Sequence, residues 1–113
     1  MEIQYSELSN RIRLIKLIGK LDIIGVNEIE IKFTGYCSGE VARVLVDLSQ
    51  VDFLASIGIR LLMTNAKSLF TRGGKMVLLN PTPDVKNTLD VTGIPDIIPM
   101  YENLESAEAV LLA

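Results

Sequence analysis

No histidine occurs anywhere in the 113 residues. That absence excludes a Ser-His-Asp triad and a Cys-His pair, because both move protons through an imidazole. It also removes the usual ligands of a zinc site. The single cysteine, Cys37, has no partner for an internal disulfide. With no second thiol and no imidazole to activate it, Cys37 reads as a buried or half-buried thiol in a reducing compartment. Tryptophan is absent and aromatics make up 5% of the chain, too few for a base-stacking platform. The formal net charge is -3 and no basic block stands out. Nucleic acid is therefore not an expected partner, since its binding needs a cationic stripe that displaces counterions. No apolar run is long enough to span a bilayer, so direct membrane insertion is not expected. The start, Met1-Glu-Ile-Gln-Tyr5, lacks the basic opening of a signal peptide. Cytoplasmic residence is the resulting expectation.

Hydrophobic residues are abundant, at 49%. A chain of this length buries roughly two-thirds of its unfolded surface, enough for one core and one domain over residues 1–113. That core must be built from Ile, Leu and Val, which suits a parallel or mixed sheet covered by helices.

Periodicity places the elements. A short strand is expected near Glu2 to Tyr5 and a second over Arg11 to Gly19, with Asn10 in the turn between them. After Asp22, the spacing of Val26, Ile29, Phe33 and Tyr36 predicts a helix to about Cys37, ended by Ser38-Gly39. Ala42 to Leu48 alternates as a strand, with a turn expected at Ser49 and Gln50. A helix is expected from Ser56 to about Thr71. Its apolar stripe reads Ile59, Leu62, Met63, Ala66, Leu69 and Phe70, and its polar face Arg60, Thr64, Lys67 and Thr71. Gly73 supplies a left-handed cap. Lys75 to Leu79 reads as a buried strand. Thr82-Pro83-Asp84 marks a helix start with a hydroxyl cap, and Gly93 ends that helix. A brief strand is expected at Ile97 and Ile98, then a last helix capped by Asn103. Strands alternating with helices imply an α/β domain.

Few residues invite chemistry. Leu54-Ala55-Ser56-Ile57-Gly58 fails the nucleophile elbow, because Leu54 stands where its first Gly belongs. Gly73-Gly74-Lys75 precedes a strand, not a helix, and does not form a phosphate loop. The carboxylates show no metal-binding spacing. Asp22 lies at a strand end just before a helix, where ligand and partner sites collect in α/β sheets. It serves equally as the cap of that helix. Ser56 has two readings as well. One is a plain N-cap worth about 1 kcal/mol. The other is an exposed hydroxyl whose phosphate the helix start would tolerate while a docked partner would not.

The string from Val44 to Leu62, VLVDLSQVDFLASIGIRLL, resembles the central segment of STAS domains, named for sulphate transporters and anti-sigma factor antagonists. Three further segments resemble the family in the same order. They are Leu17-Ile-Gly-Lys-Leu-Asp22, Gly73-Gly-Lys-Met-Val-Leu-Leu79 and Pro83-Asp-Val-Lys-Asn-Thr-Leu-Asp-Val-Thr-Gly93. The resemblance implies a single-domain fold with a mixed β-sheet of four to five strands packed with four α-helices. It implies that Ser56 is the phosphoacceptor. Asp22, Ala55, Ser56, Ile57, Gly58 and Arg60 would form the partner-binding surface. It implies partner switching: the unphosphorylated domain binds a serine kinase that doubles as an anti-sigma factor, so freeing a sigma factor. Phosphorylation releases the complex, and a PP2C-type phosphatase resets it. The domain would be no enzyme and would need no cofactor, since ATP belongs to the kinase. The sequence leaves a weak homodimer open.

Three positions depart from the family pattern. Ala55 replaces the usual Asp before the Ser, Ile57 replaces a small or hydroxyl residue, and Arg60 stands where Gly is common. Ala55 removes a negative charge beside the acceptor. Arg60 meets either the phosphate or an acidic partner surface, or is an ordinary solvated charge. The alternative function is a constitutive STAS subunit of a transporter or sensory complex, with Ser56 as a cap only. A small-molecule binder or enzyme is a third reading, disfavoured by the missing His and nucleotide fingerprint.

Overall fold

The computed structural model describes residues 1–113. Five strands form one sheet in the order β1-β2-β3-β4-β5: Glu2–Glu7, Arg13–Leu21, Arg43–Leu54, Lys75–Leu79 and Met100–Tyr101. The first pair is antiparallel and the others are parallel. Helices α1 (Ile23–Tyr36), α2 (Ser56–Thr71) and α3 (Pro83–Val91) fill the crossovers, and α4 (Leu104–Leu112) follows the last strand. The mixed sheet with four helices agrees with the expected fold class. No helix is long and apolar enough to cross a membrane.

Handedness explains the layering. Parallel crossovers are right-handed, and here each steps the same way across the sheet. The crossover helices therefore share one face. A cluster of 23 buried residues joins them to the sheet through Val26, Ile29 and Phe33 of α1, Leu62 and Leu69 of α2, and Val85 and Leu89 of α3. The other face carries α4, whose Ala107 and Leu111 pack on Leu45, Val77 and Leu79 in a six-residue cluster. Alternation along β3 serves both faces at once: Val44, Val46 and Leu48 point to the large cluster, Leu45 to the small one.

Several local expectations are corrected. Ser49 and Gln50 do not end a strand; β3 continues to Leu54. The β2–β3 register slips there, between the pairs Lys16–Asp47 and Ile18–Gln50, and Asp47 Oδ1 accepts a hydrogen bond from Ser49 N–H at 2.9 Å. The turn-like residues are thus absorbed as a bulge. The brief strand falls at Met100–Tyr101, while Ile94–Asp96 forms a 3₁₀ turn before Ile97 and Ile98. Thr82 occupies the N-cap of α3, but its hydroxyl makes no cap. Instead it donates to the carbonyl of Val51 at 3.1 Å, tying α3 to β3.

The apolar stripe of α2 also differs. Leu61 and Asn65 are buried, whereas Phe70 is 78% exposed. The buried face is rotated toward α1, because α2 is the middle helix of three and must pack on a neighbour as well as on the sheet. Asn65 is accommodated by donating its amide to the carbonyl of Leu61 at 3.0 Å.

Candidate functional site

The site forms where β2 and β3 end together. Their last paired residues are Leu21 and Leu54, and Ala55 N–H extends the ladder by donating to Leu21 O at 3.0 Å. Asp22 and Ser56 follow directly, so α1 and α2 start side by side at one end of the sheet. This is the end where strand carboxyl termini and helix amino termini meet, and where α/β folds place their functional groups.

Both helices approach closely because of a glycine in the first turn. A Cβ on Gly25 would lie 1.9 Å from the carbonyl oxygen of Lys20. One on Gly58 would lie 2.9 Å from that of Leu21 and 2.8 Å from Leu54 Cδ1. Each glycine thus lets a helix press on the backbone at the end of β2. Gly58 is buried, so it shapes the site from beneath.

The two helix starts are capped differently. Asp22 sits at the N-cap of α1, half-buried, and its Oδ1 accepts from Gly25 N–H at 2.8 Å. The N-cap of α2 is Ala55, which has no side chain to cap with. Ser56 is therefore not the cap expected of it; it is the first helical residue. Ala55 is extended (ψ 168°), so the first turn of α2 begins at Ser56. Ser56 is exposed and its hydroxyl makes no cap bond. Free N–H groups at the helix start lie beside it.

The remaining expected residues separate by depth. Ala55 and Ile57 are half-buried, and Ile57 packs against the main core. Arg60 is exposed, one turn beyond Ser56, at the edge of a groove of about 280 Å³ between α1 and α2. Glu30 and Asn65 line the same groove.

The structure adds residues that the sequence reading missed. Ile23 and Ile24, the first two residues of α1, are 65% and 71% exposed. Phe53, pairing with Lys20 at the end of the sheet, is 49% exposed. These side chains stand at the same end as Ser56. Their signal in the sequence was position: two isoleucines in a first helical turn, outside the Val26-Ile29-Phe33 period. Lys20 and Asp52 form an exposed ion pair nearby at 3.6 Å. The site therefore combines an uncapped, exposed hydroxyl with apolar side chains left in water. No set of three His, Cys, Asp or Glu is gathered as a metal site.

Comparison with known proteins identifies the family. A family model of the STAS domain matches residues 6–107. The chain is 26% identical over 95 residues to an anti-sigma F factor antagonist of Lysinibacillus sphaericus, covering 83% of this chain and 81% of that one. Its fold matches an anti-sigma-factor antagonist (STAS) domain protein of Planctomyces limnophilus with a TM-score of 0.87, at 24% identity and 96% coverage of both chains. It also matches the anti-sigma factor antagonist SpoIIAA in its unphosphorylated form, with a TM-score of 0.78, 24% identity and 96% coverage of both chains. The same protein of Bacillus in its phosphorylated form gives 0.72, at 23% identity with 96% and 99% covered. With nearly the whole chain matched and the strand ends and helix starts arranged as described, the chain belongs to the STAS domain family.

Proposed function

We propose that the chain is an anti-sigma factor antagonist that works by partner switching, with Ser56 as the phosphoacceptor. The observation that carries the reading is Ser56 itself: first in its helix, exposed, uncapped, and at one end of the sheet with Ile23, Ile24 and Phe53. Family membership and a relative named as an anti-sigma F factor antagonist support it. A fold shared with a protein solved in both phosphorylated and unphosphorylated forms supports it further.

In this reading the unphosphorylated face docks on a serine kinase that is also an anti-sigma factor, and a sigma factor is freed. The kinase then transfers the γ-phosphoryl group of ATP to Ser56 Oγ. The Oγ–P bond forms, the bond to the ADP oxygen breaks, and the hydroxyl proton leaves to a base on the kinase. The helix start accepts the phosphate, because its N–H groups and dipole favour an anion. The interface does not, because a group of nearly two negative charges now sits in a packed contact. A PP2C-type phosphatase restores the hydroxyl. The chain is a substrate and a binding module, and its place of action is the cytoplasm. Asp22, Ala55, Ile57, Gly58 and Arg60 shape or border the docking face.

Mass measurement and peptide mapping of the protein from its native cells test this. A single phosphate on Ser56, removed by phosphatase, is expected. Ser56→Ala should lose the phosphate and keep its kinase partner, while Ser56→Asp should bind that partner at least tenfold more weakly, about 1.4 kcal/mol. No phosphate under any growth condition, with Ser56→Ala cells behaving normally, would transfer the chain to a constitutive subunit role. The absence of a carboxylate at Ala55 is the observation that would then make sense.

A further inference from the structure

We propose that Arg60 receives the phosphate placed on Ser56, closing a phosphoserine–arginine pair within α2. The inference rests on the phosphoacceptor reading and deepens it, by assigning what holds the modified state.

Availability is the first argument. Of the five arginines, three are committed to backbone carbonyls at helix ends. Arg13 donates to Tyr36 O at 3.0 Å, Arg43 to Leu111 O at 2.9 Å, and Arg72 to Cys37 O at 2.7 Å. Arg11 lies in the β1–β2 turn, at the opposite end of the parallel strands. Lys20, at the Ser56 end, is paired with Asp52. Arg60 is exposed and makes no ion pair; the three ion pairs of the molecule involve Met1, Lys20 and Lys86.

Direction is the second argument. Side chains on a helix tilt toward its amino terminus, so a long one covers the turn before its own Cα. For Arg60 that turn begins at Ser56, four residues earlier and exposed on the same helix. An acid at i with a base at i+4 is the favourable order, aligned with the helix dipole. The guanidinium fork matches phosphate oxygens in pairs, which an ammonium does not.

Competition is the third. Glu30 faces Arg60 across the α1–α2 groove, yet the two form no ion pair. Asp52 is held by Lys20, and Asp22 is engaged by Gly25 N–H. A phosphate has three acceptor oxygens and nearly two charges, and it is tethered within one turn. It outcompetes the single carboxylate of Glu30. Phosphorylation then does more than add charge: it moves a cation from the mouth of the groove to the helix start.

The test uses protein made with phosphoserine at position 56 during translation, so that no kinase is needed. Phosphorus NMR follows the second phosphate ionisation against pH in this protein and in its Arg60→Gln variant. The pair favours the dianion. The wild-type pKa is expected to be lower by roughly half a unit at low salt, a threefold change in proton affinity. The difference should shrink in 1 M salt, as roughly a 3 Å screening length requires. Arg60→Lys should restore part of it. The unphosphorylated wild type and Arg60→Gln should unfold at the same urea midpoint, which separates phosphate binding from a structural role. Identical titrations in the wild type and Arg60→Gln would overturn the pair, even if Ser56 is phosphorylated in cells. A shifted titration with no Ser56 phosphate in cells would uphold the pair and overturn the switch.

Discussion

Cys37 shows how far one side chain is set by its surroundings. It lies at the end of α1, 1% exposed, with Arg13 and Arg72 nearby. Burial pushes its thiol from 9.0 up to about 12, and the two guanidiniums offset this only in part. Below pH 9 the thiol is protonated in both folded and unfolded chains, and its contribution is fully present. Between 9 and 12 only the unfolded chain releases the proton, so stability falls as pH rises, by up to about 1.4 kcal/mol per pH unit. Urea midpoints between pH 8.5 and 10.5 should drop more steeply for the wild type than for Cys37→Ala. Parallel slopes would mean that the thiol ionises freely in the fold. The reading of Cys37 as a buried or half-buried thiol needed only its isolation in a His-free chain. The reading of Ser56 as an N-cap failed at the same scale, since a serine at a helix start signals a boundary without fixing it to one residue. Backbone angles at Ala55, set by the ladder bond to Leu21, decided which residue is the cap.

At the scale of elements, the glycines of the two first turns carry the geometry of the site. Gly58→Ala would gain about 1 kcal/mol of helix propensity. The new Cβ would meet a backbone oxygen at 2.9 Å, which cannot swing aside as a side chain does. Overpacking of this kind costs about 1–3 kcal/mol, so a net loss of stability is expected in urea denaturation. Gly25→Ala, with its 1.9 Å approach, should cost more than Gly58→Ala. The reverse ranking would show that α1 is the more easily displaced helix. Element types and order were legible because the Val26-Ile29-Phe33 period and the Val44-Val46-Leu48 alternation are long and regular. Phe70 was misplaced for a reason of packing. Periodicity finds a helix face but not how many neighbours share it, and α1 draws the buried face of α2 round to Leu61 and Asn65.

Across the whole molecule, one sheet joins two unequal cores. Leu62 is fully buried in the larger, among residues from three strands and three helices. Leu62→Ala should destabilise by roughly 2–5 kcal/mol, the usual cost of such a cavity. Unfolding followed by circular dichroism and by fluorescence should keep coincident midpoints, because the strands of the two cores are the same strands. Separate transitions would show that the α4 face unfolds by itself.

The sequence by itself determined the α/β class, the order of strands and helices, the aliphatic core and the absence of imidazole chemistry. These follow from composition and from periods of two and 3.6 residues, which are local. Only the tertiary structure decided that α1 and α2 start side by side, that Ala55 rather than Ser56 occupies the N-cap position of α2, and that Ile23, Ile24 and Phe53 stay in water at the Ser56 end. It also left Arg60 free while other arginines were spent on helix ends. The side-by-side helix starts depend on the pairing of Leu21 with Leu54 and on Gly58 meeting the backbone of Leu21, far away in sequence. Contacts between distant residues leave no periodic trace in the chain.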